Sequence, residues 1–591
     1  MSPSPAVLPP PDGRSPALDS TDPTRSLRWL VYAVLMTIGT GQLVGRMLAV
    51  NSIDYLRLES RLKQEYDAKV AEAKANGEDV SQIADWNRAR PFLSGNDRSR
   101  WLTMRALVEK GTYAIDDVMS VPFWDTIDMV KHPGPDGKDH FYSSKPPLLA
   151  TMLAGEYCVL HQLTGWTLGD HPYELGRFIL LSLHLPLMLL YFLLLAKAAE
   201  RYGRTDFARV FVVAAGVFAT FLTTFEIALN NHLIGAVFAM VALYAGLRIW
   251  LDGRRDWKHF FLAGLAGMFM VANELPSLAF FGLLALLLGW CSWRQTLLGF
   301  LPGAALVLAA FLGTEYAAHG TFELAYNHRH DAAKDLFTLK VDPAALKTEA
   351  AALDDKRVGA ALRAEFAAHG RTLPDDPEKL EVLARGTTGD SWWLEDKQNL
   401  KMYSATRGGE ALRVQLWDSW YYYVYNRGDK ILASYWFDPK GLIDQGEKSV
   451  PVYAFQVLLG HHGIFSLTPI WLLTLWGIAR AIIGTDRRLR GIASVVALTS
   501  LVCVAFYLSR PLQDRNYGGM AVGFRWVFWF APLWLVTMLP ALDNANGCKG
   551  KRVFCLVLLA LSILSVSYPT WNPWTSPWLV NFFHYLGWTQ L

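Results

Sequence analysis

The first long polar stretch of the chain contains residue types that could perform acid–base chemistry. Residues 94–117 read SGNDRSRWLTMRALVEKGTYAIDD. Asn96 or Asp97 is suited to cap a helix over about 98–110, which Gly111 would close. A carboxylate beside Arg98 and Arg100 is equally suited to act as a general base. Asp97 could therefore be either a helix cap or a general base.

Lys145 lies later in the same stretch, in HFYSSKPPLL at 140–149. The two prolines after it suit the start of a helix that follows an extended segment. An ammonium group there is either an anchor at the height of the lipid headgroups or a point charge that holds a lipid-linked phosphate.

Polar side chains also cluster in three short turns between apolar segments. The turns read TTFEIALNNHL (223–233), VANELPS (271–277) and SRPLQDRNYGGMAVGFRW (509–526). Such groups at a bilayer edge cost free energy unless they are satisfied or functional. Glu226 is a candidate catalytic carboxylate, and Asn231 and His232 are candidate substrate contacts; for Asn231 a hydrogen bond to a neighbouring helix is the structural alternative. Arg515 and Arg525 are suited to bidentate phosphate contacts.

Aromatic side chains dominate a further polar region. They occur in WWLEDK (392–397), WDSWYYYVYNRGDK (417–430) and SYWFDPKGLIDQGEKS (434–449). They are typical either of an interfacial belt or of stacking against sugar rings. His461 is another candidate substrate contact, and with His462 it could bind a metal, although two adjacent His are weak grounds. Whether the protein binds a divalent cation therefore stays undecided, and the sequence indicates no other cofactor.

The composition assigns all these residues to a membrane protein. Of 591 residues, 52% are hydrophobic, 13% aromatic and only 18% charged, with 23 Trp. Trp and Tyr favour the membrane–water interface. The net charge of +3 gives no nucleic-acid footprint, and the five Cys lack metal or redox spacing.

Apolar stretches of about 20 residues predict an all-α polytopic membrane protein with about 11 transmembrane helices. They lie near 29–49, 175–196, 209–225, 229–248, 259–273, 275–292, 296–316, 464–481, 491–508, 523–541 and 552–568. A further stretch, 146–164, decides the orientation. If it does not span and the N-terminus is cytoplasmic, every compact basic loop lies inside. We therefore expect 146–164 to be a juxtamembrane or re-entrant helix.

Four parts follow from this topology. They are a disordered cytoplasmic tail (1–28), a transmembrane module (29–316) that includes an outer loop (50–173), an extracytoplasmic insert (317–462) and a C-terminal transmembrane module with an interfacial tail (463–591). Within the insert, 333–400 is rich in Ala, Leu and charge with helical periodicity. The insert is thus expected to be mostly helical.

These features together resemble the GT-C glycosyltransferases, especially the lipid A aminoarabinose transferases and the protein O-mannosyltransferases. That family has a large outer loop with an acidic pair near its start, a Lys-Pro-Pro-Leu signature, a non-spanning helix and an acidic site after the third span. The matching residues, within roughly 29–300, are Asn96-Asp97, Lys145-Pro146-Pro147-Leu148, and Glu226 with Asn230-Asn231-His232. The usual Asp-Glu pair is Asn-Asp here.

The resemblance implies inverting transfer of a sugar from a polyprenyl-phosphate donor to a lipid, glycan or protein acceptor. The expected place is the outer face of a bacterial inner membrane, with membrane lipids as further partners. Asp97 would deprotonate the acceptor hydroxyl, with Asn96 as a substrate contact beside it. Lys145, with help from Arg525 or Arg515, would stabilise the leaving phosphate.

Two other classes of function stay open. A transporter or lipid flippase would keep ionisable groups near the bilayer midplane, whereas the polar residues here crowd one edge. A catalytically silent scaffold, whose insert binds a partner, is compatible with Asn96 in place of an acid. Convergence of Asp97, Lys145, Glu226 and Arg525 around one cavity would favour the enzyme.

Overall fold

A computed structural model describes the chain over 23–50, 55–80, 83, 92, 94–121, 124–331, 333–341, 356–376, 378–385, 391–427, 430–437 and 447–588. The described residues form two compact units. Unit 1 takes them from Met1–Asn51, Gly176–Ala310 and Leu442–Leu591, and unit 2 takes them from Ser52–Leu175 and Phe311–Gly441. Residues 1–22 of the predicted disordered tail lie outside the described residues, whereas residues 23–28 are helical, so the prediction of disorder is wrong for them.

The helices and strands are numbered in chain order. The helices are α1 (Pro23–Leu48), α2 (Tyr55–Asn76), α3 (Gly95–Lys110), α4 (Asp116–Met119), α5 (Pro147–Thr164), α6 (Pro172–Tyr202), α7 (Asp206–Phe218), α8 (Asn231–Trp250), α9 (Trp257–Asn273), α10 (Leu278–Cys291), α11 (Trp293–Gln295), α12 (Leu301–His319), α13 (Lys356–Ala368), α14 (Val450–Leu458), α15 (Ile464–Leu467), α16 (Trp471–Ile483), α17 (Arg487–Leu508), α18 (Ala531–Thr537), α19 (Leu539–Ala545), α20 (Lys549–Ser567) and α21 (Trp578–Tyr585). The strands are β1 (Met129–Pro133), β2 (Asp139–Ser143), β3 (Lys334–Lys340), β4 (Leu380–Arg385), β5 (Ser391–Asp396), β6 (Lys401–Gly408), β7 (Ala411–Trp417), β8 (Val424–Arg427) and β9 (Lys430–Ala433).

The chain is a helical membrane protein. Among the described residues, seven helices are long and apolar enough to cross a membrane, or eight if a pair bent by 44° at 525–545 is one span. The seven are Thr24–Leu48, Pro172–Tyr202, Asp206–Ile227, Asn231–Trp250, Trp293–His319, Arg487–Leu508 and Lys549–Ser567. The other three predicted spans correspond to shorter helices near 257–273, 275–291 and 471–483. The count of eleven therefore stays a prediction.

Unit 1 is built around α8, most of whose residues are buried. Glycine brings neighbouring helices together. A Cβ atom on Gly264 would lie 1.9 Å from the carbonyl oxygen of Phe300, and one on Gly303 would lie 2.3 Å from that of Phe261. The backbones of α9 and of the helix from Trp293 to His319 therefore touch, which is how helices associate when lipid removes the hydrophobic drive between them.

Unit 2 contains a five-stranded antiparallel sheet in the order β3-β7-β6-β5-β4. Helix α13 covers one face through Val358, Leu362 and Phe366, and the ring of Phe366 contacts Phe337 of β3 and Tyr403 of β6. The prediction of a mostly helical insert is therefore wrong. Only Lys356–Ala368 is helical within the described part of 333–400. In β7, Leu412, Val414 and Leu416 enter the core and alternate with the polar residues Arg413 and Gln415.

Two further elements of unit 2 agree with the sequence. Helix α3 ends at Gly111, which has φ +70° and caps the last carbonyls, as predicted. Helix α5 begins directly after Pro146 and is not among the described helices that are long and apolar enough to span. A β-hairpin, β1–β2, connects these helices.

Candidate functional site

Asp97 lies in the first turn of α3 and is buried, with 1% of its surface exposed. Ser94 caps this helix, since its hydroxyl accepts the N–H of Asp97 at 3.2 Å. The predicted caps, Asn96 and Asp97, are therefore wrong. The carboxylate oxygen Oδ1 of Asp97 accepts a hydrogen bond from Nε1 of Trp101, one turn later, at 2.9 Å. That bond holds the carboxylate in a fixed direction.

Two arginines beside Asp97 are buried as well. Arg98 donates to the carbonyls of Phe92 and Asp125, at 2.9 and 2.8 Å. Arg100 donates to the side-chain oxygen of Asn96 at 2.7 Å. The amide oxygen of Asn96, a predicted substrate contact, is thus engaged within α3.

Lys145 forms a buried ion pair. Its Nζ lies 2.7 Å from Oδ1 of Asp128, with 8% and 11% of the two side chains exposed. Ser99 of α3 lies beside the pair, because its hydroxyl donates to the carbonyl of Asp128 at 2.6 Å and lies 2.6 Å from the hydroxyl of Ser143. Asp128 was not predicted, since a single Asp that precedes Lys145 by 17 residues has no recognisable spacing.

Aromatic rings surround a buried histidine elsewhere in unit 2. His132 is stacked between Tyr142 and Trp420, each at 4.1 Å between ring centres. Its Nε2 lies 3.0 Å from Nδ1 of His319, and burial lowers its pKa. His328 stacks on Trp420 at 4.0 Å. Trp420 therefore packs inside unit 2, and its ring faces are covered by other side chains and are not free to stack against a sugar.

In unit 1, the predicted residues Asn231 and His232 meet at the carboxylate of Glu274. Asn231 donates to Oε1 of Glu274 at 2.8 Å and to the carbonyl of Asn273 at 3.0 Å. Nδ1 of His232 contacts the same Oε1 of Glu274. Helices α8 and α9 are thus joined, which confirms the structural alternative for Asn231. Asn230 caps α8 by accepting the N–H of His232 at 2.8 Å.

Arg525 completes this group, which we call the His232 cluster (Asn231, His232, Glu274 and Arg525). Its Nη1 lies 3.3 Å from Nε2 of His232, its Nε donates to the carbonyl of Gly518, and its Cζ lies 4.8 Å above the ring of Trp574. A guanidinium group only donates, so Nε2 of His232 accepts and its Nδ1–H donates to Glu274. Glu274 lies in the predicted turn at 271–277, but no role for it was predicted from the sequence.

Glu226 has a different partner. Its Oε1 lies 3.0 Å from Nη1 of Arg46, and its side chain is completely buried. The other oxygen, Oε2, has no hydrogen-bond partner among the described residues. Nδ1 of His184 donates to the backbone carbonyl of Glu226 at 2.6 Å. Arg46 and His184 were not among the predicted residues, because both lie within spans that were judged by hydropathy alone.

Arg515 and His461 make local contacts. Arg515 donates from Nη1 to the carbonyls of Glu447 and Lys448, at 3.1 and 3.0 Å. It therefore ties two backbone segments together. His461 lies 2.5 Å from His462 between their Nδ1 atoms, and burial lowers the pKa of His461 to about 4.

The predicted residues divide between the units. Unit 2 contains Asn96, Asp97 and Lys145, and unit 1 contains Glu226, the His232 cluster, Arg515 and His461. Among the described residues, no three His, Cys, Asp or Glu side chains form a group that could hold a metal ion. No protein-family model and no curated protein sequence matches the chain.

Proposed function

We propose that the protein is a membrane glycosyltransferase of the GT-C type. It would move a sugar from a polyprenyl-phosphate donor to a lipid, glycan or protein acceptor on the outer face of a bacterial inner membrane. The observation that carries the proposal is the concentration of buried charge in unit 2, where Asp97 and the Lys145–Asp128 pair are retained in the interior. Buried charges of this kind are costly and mark candidate functional sites.

Asp97 is assigned the role of general base. Its Oδ1 is oriented by Trp101, so the carboxylate needs no reorganisation before it takes the proton of the acceptor hydroxyl. The resulting oxygen nucleophile forms a bond to the anomeric carbon of the sugar as the bond from that carbon to the phosphate breaks. Inversion follows from attack on the face opposite the phosphate.

Lys145 is assigned to the leaving phosphate. Asp128 holds the ammonium group at 2.7 Å, which fixes its position in a buried setting. The ammonium group then offers a point charge to the developing phosphate anion.

The His232 cluster is assigned to phosphate recognition within unit 1. Arg525 is held from two sides, by the carbonyl of Gly518 and the ring of Trp574, so its planar group is preorganised for phosphate oxygens. Glu226 is less suited to catalysis, since its carboxylate forms an ion pair with Arg46 at 3.0 Å. We therefore assign the base to Asp97 alone.

The test is transfer by the full-length protein in membranes with a panel of labelled polyprenyl-phosphate sugars. Replacing Asp97 by Asn should reduce transfer by about 10²–10⁴-fold, the usual contribution of a general base. The matched control is Asp136→Asn, because Asp136 is an exposed carboxylate of the same unit. Full transfer activity in Asp97→Asn would contradict the proposal.

A transporter or lipid flippase is the second candidate, and one observation favours it. Arg46, Glu226 and His184 place three ionisable side chains inside or at the ends of apolar helices, and such groups mark transport pathways. Ion or lipid movement in proteoliposomes that is abolished by Glu226→Gln, with no transfer for any donor sugar, would favour this reading.

A further inference from the structure

Unit 1 contains a cavity of about 490 Å³ at the opposite ends of its helices from the His232 cluster. Leu247 lines the cavity and follows His232 by four turns along α8, so about 23 Å separate them at 1.5 Å per residue. The loops around the cavity are the basic ones that the positive-inside rule assigns to the cytoplasmic side. The cavity is therefore distinct from the candidate site.

The wall of the cavity is apolar. Leu247, Ile492, Val536 and Leu539 contribute their side chains, and Ala481 and Ala493 leave room between them. A cavity of this size lies within the range of small-molecule sites. An apolar wall of this kind suits hydrocarbon.

The rim of the cavity carries two carboxylates that are already engaged. Asp543 accepts the backbone N–H groups of Arg204 and Thr205, at 3.0 and 2.8 Å, and the hydroxyl of Thr205 at 2.9 Å. Asp486 caps α17 by accepting the N–H groups of Arg488 and Leu489, at 2.9 and 3.1 Å. Their oxygens thus serve the backbone.

The rim also carries two arginines whose guanidinium groups are available. Arg204 and Arg480 line the cavity and are exposed. Within the described part of the chain, neither guanidinium group has a hydrogen bond or an ion pair. The rim therefore offers up to ten N–H donors, five from each guanidinium group, above a hydrocarbon-like wall.

We propose that this cavity binds the phosphate headgroup and the adjoining chain of an anionic lipid. Arg204 and Arg480 would hold the phosphate oxygens by paired hydrogen bonds, and the apolar wall would cover the first part of the chain. The negative surface of a cytoplasmic leaflet supplies such lipids. The phosphate lipid comes either from the bilayer phospholipids or from a polyprenyl phosphate, and the two share this chemistry. The inference does not depend on glycosyl transfer.

The test measures binding of four probes to the purified full-length protein in a neutral detergent. The probes are dioleoylphosphatidate, farnesyl phosphate, dioleoylglycerol and inorganic phosphate. We expect at least one of the two phosphate lipids to bind at least tenfold more tightly than dioleoylglycerol and than inorganic phosphate. The tighter of the two identifies the source of the lipid.

Variants then locate the site. Arg204→Gln combined with Arg480→Gln should weaken binding of that lipid at least tenfold. The control is Arg487→Gln combined with Arg552→Gln, which removes the same charge from exposed arginines that do not line the cavity, and it should change the Kd less than twofold.

A third variant tests the apolar wall with both arginines in place. Ala493→Phe fills the cavity and should also weaken binding at least tenfold, and Ala481→Leu serves the same purpose if Ala493→Phe does not fold. The proposal is overturned if dioleoylglycerol or inorganic phosphate binds as tightly as the better phosphate lipid. It is also overturned if the control pair weakens binding as much as the Arg204–Arg480 pair, or if filling the wall has no effect.

Discussion

Nζ of Lys145 and Oδ1 of Asp128 lie 2.7 Å apart in the interior of unit 2, and an equal distance separates Lys63 and Asp67 on the surface of α2. The two pairs have the same chemical groups and the same length. They differ in exposure, because about a tenth of each side chain in the first pair and 56% in the second reaches solvent. Their contributions to stability should therefore differ.

Lys145→Met should lower the free energy of unfolding by about 3–5 kcal/mol, because it leaves the carboxylate of Asp128 buried without its ion-pair partner. The double variant with Asp128→Asn should recover part of that loss, which a double-mutant cycle measures. Lys63→Met should cost no more than about 1 kcal/mol. Equal losses for Lys145→Met and Lys63→Met in thermal or denaturant unfolding would show that burial does not decide the value of the pair.

Gly235 makes room for Glu274. A Cβ atom at 235 would lie 2.6 Å from Cγ of Glu274, so Gly235→Ala should displace the carboxylate from His232 and lower stability by about 1–3 kcal/mol. Gly282→Ala on α10 is the control, since nothing lies within 4 Å of its Cβ position. That change should stabilise by about 0.5–1 kcal/mol through helix propensity. Unfolding measurements and sugar-transfer assays on both variants check this prediction. Equal effects of the two substitutions would show that Gly235 is not needed to position Glu274 in the His232 cluster.

Gly518 combines positive φ with close contact to Arg525. Its φ is +93°, and a Cβ atom there would lie 2.7 Å from Cγ of Arg525. Gly587 also has positive φ, at +71°, but nothing lies within 4 Å of its Cβ position. Both Ala variants carry about 1–2 kcal/mol of backbone strain. Only Gly518→Ala should also move Arg525, so the donor KM in the transfer assay should rise for Gly518→Ala and stay unchanged for Gly587→Ala.

His461 makes stability depend on pH. Burial lowers its pKa from 6.5 to about 4, so the unfolded chain takes up a proton first as pH falls through 6.5. The stability that the neutral imidazole contributes is therefore complete above pH 6.5 and is lost progressively towards pH 4. His461→Gln should flatten the unfolding free energy across this window.

His140 provides a control of opposite sign. Its hydrogen bond to Asp136 raises its pKa above 6.5, so its contribution is present at low pH and is lost as pH rises through the raised value. His140→Gln should therefore lower the free energy of unfolding at low pH. His461→Gln should instead make the decrease in unfolding free energy at low pH smaller than in the unmodified protein. Parallel pH profiles for the two variants would contradict the assignment for His461.

Much of the helical framework could be predicted from the sequence, because apolar stretches and the residues that begin and end helices indicate it directly. Long apolar runs, the Gly111 terminus of α3 and the Pro146-Pro147 start of α5 each act through local backbone chemistry. The sheet of unit 2 was missed for a physical reason. Lys356–Ala368 is helical, but helical periodicity was also assigned to strands such as Ser391–Asp396, whose alternate residues Trp392 and Leu394 enter the core.

The candidate site was predicted in its residue types but not in its pairings. Asn231, His232 and Arg525 belong to one cluster, although Arg525 follows His232 by 293 residues. Each could be predicted because it is a polar residue in a short turn between apolar segments. Asp128 and Arg46 were missed because each pairs with a residue that is distant in the sequence. Asp128 pairs with Lys145 and Arg46 pairs with Glu226 only in the folded chain. A single sequence carries no record of such distant pairs.

Unit 2 is interleaved along the chain, and this has a consequence for the order of synthesis. The hydroxyl of Tyr423 donates to the carbonyl of Met129, which precedes it by 294 residues, and the N–H of Lys131 donates to the carbonyl of Trp420. The core around Val130 and Tyr142 therefore stays incomplete on the ribosome while the helices of 176–310 are made and inserted. Contacts of such long range also slow folding. The hairpin β1–β2 must stay soluble until residues 420–423 emerge, so a chain truncated before residue 417 should accumulate with β1–β2 sensitive to protease.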